Sequence, residues 1–175
     1  SDVNTRFDVP HSRFNQIDRE QFEAAGLHIL VASDVAGVHL AASEDRFRII
    51  FFQGHPEYDT VSLFKEYKRE VNRFIRGERP DYPPFPENYF SLLTEAMLDE
   101  HRDLVLAARA RGAAIPELPE SLIVPNLDNT WHDTAEAVID NWIGKVYQLT
   151  ALDRKQPFKD GVDPTPPLRP RAGRP

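Results

Sequence analysis

Three short apolar runs, each closed by turn-forming residues, lie in the first third of the chain. They occupy residues 27–32, 38–41 and 46–53, and Ser-Asp-Val-Ala-Gly and Ser-Glu-Asp separate them. Short runs that contain β-branched residues and are bounded by Gly, Ser and Asp predict strands that form a hairpin or meander. The third run changes from alternating to continuously apolar, which predicts a central strand buried on both faces.

The periodicity becomes helical after Asp59. Four aromatic or aliphatic residues then recur at helical spacing between charged residues: Phe64, Tyr67, Val71 and Phe74. Asp59 or Thr60 is placed to cap the start of this helix, and Gly77 is placed to end it. A second helical stretch, bent or broken, is predicted over residues 87–111, after a proline-rich bridge over residues 80–86.

The last third of the chain is predicted to contain a loop, a helix and a tail. Residues 113–129 hold several prolines and little periodicity, as expected of a loop. Residues 131–149 predict an amphipathic helix, with Asn129 or Thr130 placed to cap it. The composition then shifts to Pro, Arg, Lys and Gly, so residues 154–175 are predicted to be disordered or to lie along a neighbouring surface.

Composition narrows the class of protein. The chain has 175 residues, of which 41% are hydrophobic and 28% charged, with a formal net charge of -7. One domain of this size buries roughly 70% of its unfolded surface, and the negative charge repels nucleic-acid phosphates. No apolar run approaches the roughly 20 residues that cross a bilayer, and no signal segment opens the chain. These properties predict a cytoplasmic protein that binds neither nucleic acid nor membrane.

The absence of cysteine restricts the chemistry of the 175 residues. It excludes disulfides, thiolate metal sites and a cysteine nucleophile within this chain. Strands that feed helices predict an α/β layer architecture, but three strands make a thin sheet for it. Because the chain also starts at Ser1 without an initiator methionine, we expect it to be one part of a longer polypeptide.

The strongest local motif is Gln-Gly-His-Pro-Glu-Tyr-Asp at residues 53–59. It lies where a buried strand ends and a helix begins, a position at which open α/β sheets bind ligands. His55 is suited there to act as a general base near neutral pH, with Glu57 fixing its tautomer and stabilising the imidazolium. The alternative, in which both residues merely cap a helix on the surface, fits their spacing equally well.

Pro-His-Ser-Arg at residues 10–13 is a second candidate segment. Ser12 is a short donor and acceptor suited to a substrate oxygen, and the guanidinium of Arg13 could fork onto a carboxylate. The alternative is a turn with a solvated arginine, which the local sequence favours.

Arg69, on the helix after the 53–59 motif, is a third candidate. A guanidinium there is suited to bidentate contact with a carboxylate. The alternative, favoured locally, is an ordinary helical ion-pair arrangement with Glu66 and Arg73. The other histidines show no metal-ligand spacing, and no phosphate loop or dinucleotide fingerprint is present, so no metal site is expected.

Four blocks of the sequence resemble the C-terminal half of the homoserine O-succinyltransferases, a family of the class I glutamine amidotransferase-like superfamily. They are residues 10–13, residues 53–59, Glu-Tyr-Lys-Arg-Glu at 66–70, and Asn-Trp through Val-Tyr-Gln-Leu-Thr at 141–150. The resemblance covers residues 6–153. It implies a flavodoxin-like three-layer α/β fold in which residues 1–153 are the C-terminal half of the acyltransferase domain and the N-terminal half completes the sheet.

The resemblance also implies a cysteine–histidine–glutamate triad. His55 would be its general base and Glu57 the orienting carboxylate, while Ser12 and Arg69 would contact the acceptor, with Arg69 pairing its carboxylate. The cysteine, outside this chain, would take the succinyl group of succinyl-CoA as a thioester, which the hydroxyl of L-homoserine would attack. The reaction serves methionine biosynthesis, uses acyl-CoA as co-substrate without a further cofactor, and is expected of a homodimer.

Several alternatives stay open. Acetyl-CoA could replace succinyl-CoA, and serine could replace homoserine, because the family's residues that help choose the acyl group lie upstream. Amidotransferases and peptidases share the superfamily's triad, although Ser12 and Arg69 match positions that bind an amino-acid acceptor. A non-catalytic module that binds a ligand or partner is a further reading, supported only by the absent cysteine. Without a cysteine, this chain alone is expected to be inactive.

Overall fold

The computed structural model describes residues 3–153, 155–165 and 167–168. The described part of the chain has an α/β architecture in two compact units, one within residues 1–57 and 130–175 and the other formed by residues 58–129. The predicted tail over residues 154–175 lies outside the described residues at 154, 166 and 169–175. None of the described helices is both long and apolar enough to span a membrane.

The secondary structure largely follows the hydrophobic pattern. In chain order, the described elements are α1 (Arg19–Ala24), β1 (His28–Ser33), β2 (Gly37–Ala42), β3 (Ile50–Phe52), α2 (Ser62–Ile75), α3 (Leu92–Arg111), α4 (Glu120–Ile123), a 3-10 helix (Val124–Asn126) and α5 (His132–Leu149). The three strands and the three long helices lie where the pattern predicts them. The pattern does not predict α1, α4 or the 3-10 helix.

An antiparallel sheet in the order β1-β2-β3 forms the base of the first unit. On β2, which lies at its centre, Ala41 pairs with Ile29 on one side and with Phe51 on the other. Every side chain of β2 after Gly37 is buried. Gly37 has a φ of 72°, a left-handed conformation that suits glycine in the tight turn between β1 and β2.

The prediction of a central third strand is wrong. Instead of a strand over residues 46–53, β3 has three residues and lies at an edge of the described sheet, where Phe51 is 38% exposed. The reason is a turn built around Asp45, whose carboxylate accepts hydrogen bonds from the backbone N–H groups of Phe47 and Arg48, both at 3.0 Å. Because that turn uses the residues before Ile50, the apolar run cannot extend along the sheet.

The short helix α1 begins with a recognisable capping arrangement. The backbone N–H of Asp18 donates to Oε1 of Gln21 at 2.9 Å, as in a capping box. On its inner side, Phe22 is buried against Val38 and Ala41 of β2. The helix therefore covers one part of the sheet, just after the 10–13 segment.

The last long helix, α5, has the predicted extent but not the predicted cap. Trp131 occupies the cap position and is buried, without a side-chain cap hydrogen bond. The hydroxyl of Thr130 donates instead to the carboxylate of Asp8 at 2.7 Å. The Trp142 indole N–H donates to the carbonyl of Phe47 at 2.9 Å, which ties the middle of α5 to the turn before β3.

Residues just after α5 pack back onto the first unit. Thr150 and Phe158 form an isolated antiparallel bridge, and the N–H of Lys159 donates to the carbonyl of Leu149 at 2.9 Å. The ring of Phe158 is buried, with its centroid 6.2 Å from that of Phe47. The described residues of this stretch thus lie along their own unit.

The second unit has an aromatic and aliphatic core. Its buried members are Phe64, Tyr67, Val71, Phe90, Leu98, Ile123 and Leu127. Two glycines with positive φ end its long helices, Gly77 after α2 and Gly112 after α3, as predicted. The side chain of Asp59 accepts from the N–H of Val61 at 3.1 Å, which confirms its predicted place at the start of α2.

Two predictions for the second unit are wrong. The helix predicted from residue 87 begins only at Leu92, because Asn88 has a left-handed φ of 56° and the Ser91 side chain caps the helix by accepting from the N–H of Thr94 at 3.2 Å. The loop predicted over residues 113–129 contains α4 and the 3-10 helix. Ile123, at the end of α4, is fully buried, so tertiary burial stabilises a turn that its local sequence does not favour.

We expect Asp45→Asn to lower the free energy of unfolding by about 2–3 kcal/mol at pH 7, because hydrogen bonds to a buried charged group are lost. Burial acts to raise the pKa of Asp45, but hydrogen bonds from Ser43, Arg48 and Phe47 outweigh it and hold the pKa well below its usual value. The stabilisation is therefore present above about pH 4 and lost as the pH falls below it.

Urea denaturation between pH 3 and pH 7 measures this effect. The exposed Asp34, in the turn between β1 and β2, provides the control variant Asp34→Asn. An Asp45→Asn protein as stable as the control at pH 7 would contradict this account of the turn.

Candidate active site

The end of β3 carries the backbone of His55 to the 10–13 segment. Two residues, Gln53 and Gly54, follow the strand, and the N–H of His55 then donates to the carbonyl of Pro10 at 2.7 Å. The imidazole Nδ1 lies 2.9 Å from Oε1 of Glu57, and Nε2 lies 3.1 Å from the backbone carbonyl oxygen of Ser12. The structure therefore brings together three of the four residues singled out from the sequence.

The pair formed by His55 and Glu57 has the geometry of a proton-transfer site. The His55 side chain is 32% exposed and that of Glu57 is 67% exposed, so a reactant can reach them. A carboxylate that accepts from Nδ1–H leaves Nε2 as the nitrogen that takes up a proton. Once Nε2 is protonated, the Ser12 carbonyl lies at the right distance to accept its hydrogen bond.

Close packing beneath the motif requires glycine at residue 54. A Cβ atom there would lie 2.7 Å from His39 Nδ1, 2.7 Å from Val9 Cγ1 and 3.0 Å from His11 Nε2. Two of these contacts are shorter than real Cβ atoms show, so a side chain would displace either the motif or its neighbours. Gly54 thus permits the backbone of the motif to lie directly on β2 and on the 10–13 segment.

Two histidines that sequence reasoning treated as ordinary residues lie under the site. His39 is buried on β2, and burial, followed by the charge of His11, lowers its pKa to about 4. Burial, followed by the charges of Arg13 and His55, also lowers the pKa of His11. The two rings are 5.7 Å apart in an edge-to-face arrangement, so both are neutral packing groups near pH 7. In the described residues no group of three or more His, Asp or Glu side chains is arranged to hold a metal ion.

Gln53 is a contributor that sequence reasoning missed. Its amide nitrogen donates to the carbonyls of Ile17 and Val38, both at 2.9 Å, and its amide oxygen accepts from the N–H of Ile17 at 2.9 Å. The side chain therefore joins the segment before α1 to β2. Its position as the first residue of the 53–59 motif is the signal that could have identified it.

Arg69 belongs to the second unit and lies on α2. Its side chain is 55% exposed, and Nε donates to Oε1 of Glu70 at 3.3 Å. The predicted arrangement with Glu66 does not form, because Glu66 accepts from the hydroxyl of Tyr58 at 2.8 Å. Since Glu70 takes the Nε side, the two terminal nitrogens of Arg69 form the edge that can meet a carboxylate.

Glu70 organises several guanidinium groups at this end of α2. Besides Arg69, it accepts from Arg73 and Arg79, both at 3.2 Å. Partial burial acts to raise the pKa of Glu70, but hydrogen bonds and charge from Arg69 and Arg73 lower it below its usual value. The carboxylate stays ionised and holds Arg69 on one side.

Comparison with known proteins identifies close relatives. The family model for homoserine O-succinyltransferase matches residues 1–152. A homoserine O-succinyltransferase of Nitrosococcus oceani is 63% identical over 166 residues, which are 95% of this chain and 46% of the relative. The one from Allochromatium vinosum is 64% identical over 168 residues, which are 96% of this chain and 47% of the relative. The chain thus spans about half the length of the curated relatives it matches.

We expect Gly54→Ala to lower the free energy of unfolding by about 1–3 kcal/mol, because the new methyl group overpacks a buried contact. The control is Gly144→Ala on α5, where an added Cβ meets nothing within 4 Å. Replacing that helical glycine should stabilise the protein by about 0.5–1 kcal/mol. Urea denaturation of both variants tests the contact, and a Gly54→Ala protein as stable as Gly144→Ala would contradict it.

Proposed function

The chain belongs to the homoserine O-succinyltransferase family, and we propose that it supplies the histidine and the carboxylate of an acyltransferase triad. The reaction is transfer of the succinyl group of succinyl-CoA to the hydroxyl of L-homoserine. The observation that carries the proposal is the contact of His55 Nδ1 with Glu57 at 2.9 Å, placed directly after a strand and open to reactants.

In the proposed reaction a cysteine from outside these 175 residues is the nucleophile, since they contain none. His55 removes the thiol proton, the thiolate attacks the succinyl-CoA carbonyl, and the C–S bond to CoA breaks. The CoA thiolate leaves with the proton that His55 returns to it. His55 then takes the proton of the homoserine hydroxyl as its oxygen attacks the thioester, and the enzyme thiolate leaves and is reprotonated.

Glu57 and the Ser12 carbonyl support both half-reactions. Glu57 holds the Nδ1 proton of His55, which directs the basic Nε2 toward the reactants. The Ser12 carbonyl is a hydrogen-bond acceptor for Nε2–H while the imidazolium exists. One histidine with these two partners can therefore take up and release a proton in each half of a ping-pong cycle.

We assign acceptor binding to Ser12 and Arg69. The terminal nitrogens of Arg69 would hold the homoserine carboxylate in a bidentate contact, while Glu70 occupies Nε. Ser12, half-buried beside His55, would contact a polar group of the acceptor. Acyl-CoA is the co-substrate, and the proposed steps use side chains without a further cofactor.

The proposal includes a fold larger than the described sheet. Residues 1–153 would be the C-terminal half of a class I glutamine amidotransferase-like, three-layer fold in a cytoplasmic homodimer, and residues 154–175 an appended Pro/Arg-rich tail. The length of the curated relatives supports this, since the chain covers 46% and 47% of two of them. The position of β3 at an edge of the described sheet also supports it, because further strands can add there.

A second candidate is a non-catalytic module that binds a ligand or partner. The absence of cysteine from the 175 residues favours it. Transfer of an acetyl group, or transfer to serine, would keep the mechanism and change only the substrates.

The direct test is a substrate matrix on the full-length protein, with succinyl-CoA or acetyl-CoA against L-homoserine or L-serine. We expect succinyl-CoA with homoserine to give the highest kcat/KM. His55→Ala and Glu57→Gln should each lower kcat by at least about 10²-fold, because positioned general acid–base catalysis is lost. The control is His132→Ala, since that histidine pairs with Asp133 and Glu136 on exposed α5. Wild-type turnover in His55→Ala would refute the triad.

Arg69→Ala should raise the KM for homoserine about 10- to 100-fold, because charge-assisted hydrogen bonds to its carboxylate are lost. The KM for succinyl-CoA should stay within a factor of about two. Arg76→Ala is the matched control, because Arg76 lies just after the same helix and pairs with Glu78. Steady-state kinetics with each substrate varied in turn provide the measurement. An unchanged homoserine KM in Arg69→Ala would remove Arg69 from the site.

A further inference from the structure

The segment of residues 10–18 contacts His55 through its backbone. The carbonyl of Pro10 accepts from the His55 N–H at 2.7 Å, and the carbonyl of Ser12 lies 3.1 Å from Nε2 of the ring. At its other end, Ile17 exchanges two hydrogen bonds with the side chain of Gln53, each of 2.9 Å. The position of the imidazole therefore depends on where this segment lies.

The side chain of Arg13 holds the middle of the 10–18 segment. Its Nη2 donates to the carbonyl of Ala36 at 2.5 Å and to Oε1 of Gln16 at 3.0 Å. Its Nη1 contacts Nδ1 of His11. Ala36 lies in the turn between β1 and β2, so one guanidinium connects the segment to the sheet.

This arrangement differs from both sequence-based readings of Arg13. The guanidinium is not merely solvated, because both terminal nitrogens contact protein acceptors. A substrate carboxylate would need those same nitrogens for a bidentate contact, and it would have to displace Ala36 or His11. Burial and then the charge of Arg13 lower the pKa of His11, so Nδ1 of His11 stays an acceptor near pH 7.

We propose that Arg13 is a positioning residue that fixes the 10–18 segment, and through its Ser12 carbonyl the imidazole of His55, and that it does not bind substrate. The inference rests on the proposed function of His55. It assigns Arg13 an effect on both half-reactions, since the same imidazole serves both. A substrate-binding arginine would affect only the half-reaction in which its substrate takes part.

The test separates the two half-reactions in the full-length protein. Release of CoA from succinyl-CoA without acceptor, in a single turnover, reports formation of the thioester. Steady-state kinetics with homoserine varied report the acceptor. The variants are Arg13→Gln and Arg13→Lys, and the control is Arg19→Gln on α1, whose exposed side chain pairs with Glu23 at 3.6 Å.

We expect Arg13→Gln to slow CoA release about 10- to 100-fold, because small displacements of a catalytic group cost about this much. The KM for homoserine should change less than about twofold. Arg13→Lys, which keeps one donor for Ala36, should recover part of the rate, and Arg19→Gln should match the wild type. In a His55→Ala background, Arg13→Gln should cause no further loss, because it acts through His55.

Two outcomes would overturn the inference. Normal CoA release with a raised homoserine KM would show that Arg13 binds the acceptor. An additional loss in the His55→Ala background, or an equal loss of rate and melting temperature in Arg13→Gln and Arg13→Lys, would show a general structural role. If His55→Ala itself released CoA at the wild-type rate, the proposed function would fail first, whatever the Arg13 variants do.

Discussion

At residue 54 the chain lies within contact distance of His39, His11 and Val9, and the geometry of His55 depends on that close approach. Without a side chain at Gly54, the motif can lie directly on the buried strand β2. His55 then reaches the Pro10 carbonyl with its backbone and the Ser12 carbonyl with its ring. A catalytic geometry in an otherwise small sheet is thus set by packing beneath the loop, and the exposed Glu57 completes it from the solvent side.

The same unit uses its polar side chains to stop apolar segments at defined positions. Asp45 gathers the backbone N–H groups that follow it and ends the run before β3, while Gln53 joins Ile17 to Val38 across the end of that strand. A buried carboxylate is tolerated at Asp45 because donors surround it. These contacts place the motif at the strand end, where its imidazole is reachable.

Sequence reasoning succeeded where the signal was local. The 3.6-residue spacing of apolar residues and the glycines at 77 and 112 predicted α2 and α3, because a helix end needs only its own turn and cap. It failed for β3, since an apolar run does not reveal that Asp45 will organise a turn within it. It also missed α4, which the burial of Ile123 stabilises from elsewhere in the second unit.

The sequence by itself determined the long helices, the three strands and the family, and it singled out His55, Glu57, Ser12 and Arg69 through motifs of adjacent residues. Only the tertiary structure decided which atoms meet. It placed the Ser12 carbonyl on Nε2 across 43 intervening positions, engaged Arg13 with the carbonyl of Ala36, and paired Arg69 with Glu70. Contacts between segments distant in the chain follow from packing of the whole unit, and the pattern within any one segment does not contain that information.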